Sequence, residues 1–481
     1  MNLKPKQIFL YALCIISISM VYILSSRNVQ YGYEFYVQLT KSFFKGHTYL
    51  ALAPGLESLP DPYDPEANHE FRRGKTSYFH DSSYYNGKIY IYYGPTPVLT
   101  FFLPAYFLSI QVYDRHAALF YLLGAFLFQA LLFLKLTARP TDLNLNQPDP
   151  RTWFTLAGLW ILGLTSPGLT MLKRPDIYEV AMTSSLFFIS GALYFLTLRL
   201  FFVKKNWLIV LISLFLVLGV GSRITAVIPS ALFFLIIIYI LYKEKATIRP
   251  YIYLFLPFTL GMISYLLYNH ARFDSFFEFG INYIISEFTP SSVVAGFSDD
   301  IKIIYFFKIL KVYLFNFFTF SHIFPFVSLN IAPIENIIVY EIAIPGLLSC
   351  FPVKWSLILL PWVCCYWRKI GRTRLALFTL LLVLGALLIL GALAQVPMIF
   401  YHYLPNISLF LTLAALLVWG FLLGHLWYQD SDRPHICIKH HALLKNTFYI
   451  TILISFYFSY VAYFYAFYGW YVNDLYHRGI V

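Results

Sequence analysis

Residues 206–242 read NWLIVLISLFLVLGVGSRITAVIPSALFFLIIIYILY. Two apolar runs, 206–221 and 224–242, flank a single charged residue, Arg223. A hydrocarbon core of roughly 30 Å takes about 20 apolar residues to cross as a helix. Similar runs lie at 8–27, 96–112, 116–137, 152–170, 180–203, 251–268, 303–323, 337–363, 374–399, 404–425 and 447–468. Of the 481 residues, 59% are hydrophobic and 12% charged, against about 25% charged in soluble domains. The expected fold is an all-α polytopic membrane protein.

The formal net charge of +12 would suggest nucleic acid as a partner for a soluble protein. Here much of the excess falls in short connectors: VKKN at 203–206, YKEKATIRP at 242–250, YWRKIGRTR at 366–374 and the stretch from Arg433 to Lys445. Basic loops mark the cytoplasmic side, so no nucleic-acid partner is expected and the N-terminus is assigned to the cytoplasm. The first run follows Lys4 and Lys6, and SMVYILSS offers no small-residue cleavage site. It reads as an anchor. Cys14, Cys350, Cys364, Cys365 and Cys437 show no ligand spacing and are expected to be unpaired.

With those connectors inside, 28–95, 171–179, 269–302, 400–405 and the tail from Tyr468 face outward. Runs 96–112 and 116–137 then make one net crossing, and 303–323 is re-entrant or interfacial. The total is eleven crossings, or thirteen if both ambiguous runs span. The whole chain, 1–481, is expected to be one membrane domain. Within it, 28–95 forms the first extracytoplasmic loop and 269–336 a second extracytoplasmic region.

In the first loop, YGYEFYVQLTKSFFKGHTYL reads as a short amphipathic helix ended by Gly46, and LPDPYDPEAN cannot be helical. Residues 84–97 read YYNGKIYIYYGPTP. Asn86-Gly87 is a strong hairpin signal. An aromatic belt at headgroup level is the plainer reading of the tyrosines. The alternative is that Lys88 and the hydroxyls of Tyr85, Tyr90 and Tyr92 face a phosphate or sugar. Glu34 lies just past the first span, where an acid can serve as a general base or hold a metal beside a phosphate leaving group. Asp176 and Glu179 stand at the head of a long apolar run, where an acid is costly unless it is paired or faces a cavity. Arg223 either snorkels to the surface or clamps a phosphate. YNHARFDSFFEFGINYII supplies Arg272 on a shaped loop, and YHYLPN supplies His402.

YEFYVQLTKSFFKGHTYL, NGKIYIYYGPTPVLTFFLPAYFL, GVGSRITAVIPSALF and YNHARFDSFFEFGINY, followed later by FYHYLPNISLFLTLAALL, resemble the GT-C type of multi-span glycosyltransferase. The likeness is to bacterial ArnT/PMT and Rgt-like proteins that use polyprenyl-phosphate sugars. It implies a GT-C-like bundle in the bacterial inner membrane and a sugar donor carried on a polyprenyl phosphate. A glycan or lipid hydroxyl would be the acceptor, and membrane lipid the surrounding partner. It also implies a catalytic acid early in the first outer loop, which falls on Glu34. The family's usual residue there is Asp, often in an Asp-Glu pair, where this chain has Tyr33-Glu34. Relatives often carry Arg at the place of His402, so donor-phosphate recognition shifts toward Arg223 and Arg272, with Lys88 in support. Tyr85, Tyr90, Tyr92, Asp176 and Glu179 are the remaining substrate-binding candidates. A divalent cation is the one cofactor this chemistry leaves room for. Rival readings are a lipid or polysaccharide transporter or flippase, which would show charged or broken helices at the midplane, and a membrane scaffold. A lipid-linked polymerase or ligase would share the same substrates.

Overall fold

The computed structural model describes residues 3–27, 34–50, 82–138, 149–165, 167–173, 175–284, 299–320, 327–329, 344–395, 399–426 and 434–477. Among these, eight helical segments have the length and apolarity to cross a membrane: Pro5–Ser25, Asp114–Thr137, Ile177–Phe201, Ile224–Lys243, Ile248–Phe273, Thr373–Leu393, Tyr401–Leu423 and His441–Tyr463. The chain is an all-α polytopic membrane bundle. Trp207–Ser222 is shorter, about 24 Å at 1.5 Å per residue. The loop segments 51–81, 285–298 and 330–343 lie outside the described residues.

We number the helices used below α1 (Pro5–Ser25), α2 (Phe35–Phe44), α3 (Leu103–Phe107), α4 (Asp114–Thr137), α5 (Pro150–Leu164), α6 (Ile177–Phe201), α7 (Trp207–Ser222), α8 (Val227–Lys243), α9 (Ile248–Phe273), α10 (Asp299–Phe315), α11 (Leu360–Lys369), α12 (Thr373–Leu393) and α13 (Leu404–Leu423). Every residue of α13 is buried, so this helix runs through the interior of the bundle. It ends at Gly424, whose φ of +71° is the left-handed conformation glycine adopts without a Cβ clash. α4 packs on α6, α6 on α7 and α7 on α9. α9 turns most of its apolar surface outward, as lipid-facing helices do, since exposure to hydrocarbon carries no penalty for Leu, Ile or Phe.

The ambiguous run 96–112 becomes a π-turn, Val98–Phe102, and the five-residue α3. Ten helical residues rise about 15 Å, half the hydrocarbon thickness, so α4 alone makes that crossing. The run at 303–323 is helical only to Phe315 in α10. Strand β3 (Phe318–Phe320) follows, pairing with β4 (Val327–Leu329). α9 extends past the expected end of its apolar run to Phe273, so His270 and Arg272 lie in its last turn and not on a loop. Asn86 and Gly87 both have positive φ and close a two-residue hairpin that registers Ser83 with Tyr90 and Tyr85 with Lys88. α2 stops at Phe44, with Gly46 at φ +75°.

The two ends of the bundle differ in kind. At one end Arg199 and Lys204 both reach Glu244, tying the foot of α6 to the foot of α8. Arg374 donates to the Leu200 carbonyl at 3.3 Å. Lys135 lies over the Phe202 ring, Phe133 touches Phe154, and Gln7 bonds Thr152. The described basic connectors therefore gather at one end, and the acids that head α4 and α6 lie at the other. All five cysteines are free.

Candidate functional site

Glu34 is the N-cap of α2, held in the left-handed region at φ 53°, ψ 49°. That conformation costs a non-glycine residue roughly 1–2 kcal/mol, and two hydrogen bonds offset it. Glu34 Oε2 accepts the backbone N–H of Asp114, the first residue of α4, at 2.6 Å. Asp114 Oδ2 in turn accepts the Tyr36 N–H at 3.4 Å. Each acid thus sits at the N-terminus of the other's helix, where unsatisfied N–H groups favour negative charge. Asp114 is only 2% exposed. Glu34 is half-buried. Burial raises its carboxyl above the ordinary range, opposed by the Asp114 N–H and the Arg115 charge and reinforced by the negative charge of Asp176. A carboxylate pushed upward in this way is a stronger base.

Asp176 and Glu179 form a capping box at the head of α6. Asp176 Oδ1 accepts the Ile177 N–H at 2.9 Å, and Glu179 Oε2 accepts the Asp176 N–H at 3.1 Å. The other Glu179 oxygen accepts the Tyr401 hydroxyl at 3.1 Å, bridging 222 residues of sequence. Tyr401 opens the 3₁₀ turn Tyr401–Tyr403 that feeds α13. Within that turn the buried His402 ring stacks on Tyr178 (5.0 Å, 17°) and on Phe400 (4.9 Å, 18°).

Arg223 lies at the junction of α7 and α8 and is 6% exposed. Its guanidinium lies over the Tyr403 ring, 4.4 Å from the centroid, and contacts the Met182 sulfur. Among the described residues it has no ion pair. Tyr93 packs edge-on to Tyr178 at 6.0 Å and accepts the Tyr92 hydroxyl at 3.3 Å. Burial raises the Tyr93 phenol, Arg223 opposes that shift, and Tyr403 and Glu179 also act on it. The Tyr93 hydroxyl thus feels the charge of Arg223 and of Glu179 and bonds directly to Tyr92.

Of the residues singled out from sequence, Glu34, Asp176, Glu179, Arg223, His402 and Tyr92 thus come together at this end. Arg272, Tyr85, Tyr90 and Lys88 form a second group around the hairpin. The Tyr85 hydroxyl donates to Asp274 at 3.3 Å. Tyr90 is buried against Phe273 and Tyr49, and its phenol is pushed up to about 12, mainly by burial. Lys88 lies over the Tyr49 ring. Sequence reasoning missed Asp114 and Tyr401, and it placed Tyr93 only among the tyrosines of 84–93 as a group. Asp114 heads an apolar run as Glu179 does, and that signal was there to be found. Nothing local distinguishes Tyr93 from its neighbouring tyrosines. Among the described residues no three His, Cys, Asp or Glu side chains converge to hold a metal ion.

No family model matches the chain, and no curated protein matches it. Two solved structures are similar in overall course. ArnT from Cupriavidus metallidurans, bound to undecaprenyl phosphate, matches over 96% of this chain and 76% of its own length, at 9% identity and a TM-score of 0.43. The Archaeoglobus fulgidus oligosaccharyltransferase, tethered with an acceptor peptide, matches over 94% of this chain and 55% of its own, at 12% identity and a TM-score of 0.46. Similarity at this level decides nothing about chemistry.

Proposed function

We propose that the chain is a glycosyltransferase that moves a sugar from a polyprenyl-phosphate donor to an acceptor hydroxyl at the outer face of a bacterial inner membrane. The observation that carries this reading is Arg223. It is a buried guanidinium with an aromatic ring and a thioether for partners, at the same end of the bundle as a base with a raised pKa. Burying a cation costs several kcal/mol, and a phosphate suits the guanidinium fork in both geometry and charge. The orientation follows from charge: the basic end is cytoplasmic, as is the N-terminus, and the Glu34 end faces out.

The reaction is a single displacement. Glu34 takes the proton of the acceptor hydroxyl as its oxygen attacks the anomeric carbon. The bond from that carbon to the phosphate oxygen breaks, and the electron pair leaves with the polyprenyl phosphate, inverting the sugar. Arg223 stabilises the charge growing on the leaving phosphate, in a low-dielectric setting where such a contact is stronger than in water. Asp176, Glu179, Tyr92 and Tyr93 supply acceptors and donors for sugar hydroxyls. The Tyr178–His402–Phe400 stack fixes the wall of the site.

The test uses purified protein and a panel of polyprenyl-phosphate sugars. Glu34→Gln should lower turnover by about 10²-fold or more while leaving undecaprenyl-phosphate binding intact. Arg223→Ala should weaken that binding. Full transfer by Glu34→Gln would remove Glu34 from the role, and Asp176 or Glu179 would be next. If no donor in the panel supports transfer, while bound lipid is moved across a vesicle membrane, the flippase reading prevails.

A further inference from the structure

We infer that Arg272 is a positioning residue: from the last turn of α9 it grips the carbonyls of Ile91 and Tyr93 and so holds segment 91–96 against the end of α7, presenting Tyr93 to the anion site at Arg223. The inference takes the anion site from the reading above, but the grip itself can be measured without any substrate.

Arg272 is 2% exposed, and both of its terminal nitrogens donate inside the protein, while the buried Nε has no partner among the described residues. Nη1 donates to the carbonyls of Ile91 and of Tyr93, the latter at 3.3 Å, and Nη2 donates to Asn269 Oδ1 at 2.6 Å. The rings of Tyr268 and Phe273 flank the cation at 4.2 and 4.8 Å. A guanidinium so enclosed does not meet a phosphate, and its reach into the site is through the backbone it holds. That backbone needs holding. The hairpin ladder stops at Tyr90 and no helix begins before Thr96, so the carbonyls between lack a regular partner, and buried carbonyls require donors. The two N–H groups of Nη1 serve both carbonyls, and the planar fork leaves Nη2 free to anchor on Asn269.

The other side of the segment is pressed onto α7. A Cβ on Gly94 would fall 2.7 Å from the Gly221 carbonyl carbon and 3.1 Å from the Tyr265 ring. Tyr265, Asn269 and Arg272 share one face of α9, four and seven residues apart. The segment is therefore pinned between α9 and α7, and Tyr93, in the middle of it, packs on Tyr178, which stacks on His402 beside the Tyr403 ring that carries Arg223.

The seating can be read by a disulfide. A Cβ on Gly221 lies 3.9 Å from Thr96 Cβ, within the roughly 3.5–4.5 Å that a disulfide needs. In a Cys365→Ser background, which removes the exposed thiol, Thr96→Cys with Gly221→Cys should close readily under mild oxidant, followed by maleimide-PEG labelling after reduction. Adding Arg272→Met should slow closure by about tenfold or more, the worth of one hydrogen-bonded charge. Arg272→Lys, which keeps the charge and the stem, should slow it by a smaller factor and serves if the Met variant fails to fold. Undecaprenyl-phosphate affinity should fall with the Arg272 substitution and return once the disulfide is formed. Closure at the wild-type rate in a folded Arg272 variant, or weakened binding that the disulfide does not restore, overturns the assignment. Arg223→Ala with unchanged lipid binding would instead sink the donor reading and leave the closure rates to judge Arg272.

Discussion

Gly94→Ala tests the packing that sets Tyr93 in place. The added methyl carbon would stand 2.7 Å from the Gly221 carbonyl carbon and closer still to its oxygen. Ordinary carbon–carbon contact is about 3.5 Å, so the two backbones must part by at least about 0.8 Å, and further to clear the oxygen. Neither side yields easily. Gly221 lies in the last turn of α7, and residues 91 and 93 are held by Arg272. Overpacking of this kind costs about 1–3 kcal/mol, and displacement of a site residue by about 1 Å can cost on the order of 10²-fold in rate. The assay is thermal unfolding in detergent beside undecaprenyl-phosphate binding and sugar transfer. Tm should fall by several degrees, and binding and turnover should fall further than stability alone explains. Gly391→Ala is the control, because a Cβ there meets nothing within 4 Å. It should be neutral or slightly stabilising, as expected for Gly to Ala in a helix. If Gly94→Ala unfolds, binds and turns over like Gly391→Ala, the close approach of segment 91–96 to α7 is wrong, and so is the placement of Tyr93 derived from it.

Three further outcomes follow from charge. Glu244 is held below the ordinary carboxylate range by its hydrogen bonds to Arg199, so its contribution to stability is full above pH of about 4.5 and is lost as pH falls through the lowered value; the wild-type Tm should drop more than that of Glu244→Gln in acid. Glu34 is raised above the ordinary range and Arg115 opposes the shift, so Arg115→Met should move the acidic limb of the kcat/KM profile to still higher pH, and a downward move would refute the proposed electrostatics. Cysteines at Lys245 and Arg368 should resist an impermeant thiol reagent applied from outside while one at the exposed Lys88 labels; labelling at Lys245 would reverse the orientation.

What depends on neighbours along the chain is legible in the residues alone. Apolar runs dictate membrane helices because hydrocarbon admits no unpaired backbone groups. Asn86-Gly87 dictates a hairpin because both residues accept positive φ, and Gly46 ends α2 for the same reason. The basic connectors mark one end of the bundle. Tertiary structure alone decided the rest. Arg223 and Arg272 look alike in sequence, each a lone cation near the end of an apolar run. Packing gives Arg223 an aromatic ring and a sulfur and gives Arg272 two backbone carbonyls, which is the difference on which their proposed roles rest. Glu34 acquires Asp114, Glu179 acquires Tyr401 and Tyr93 acquires Arg223 only when helices far apart in sequence meet at one end. Those contacts rest on close approaches such as Gly94 on Gly221, whose partners are set by how the helices cross and not by any local pattern.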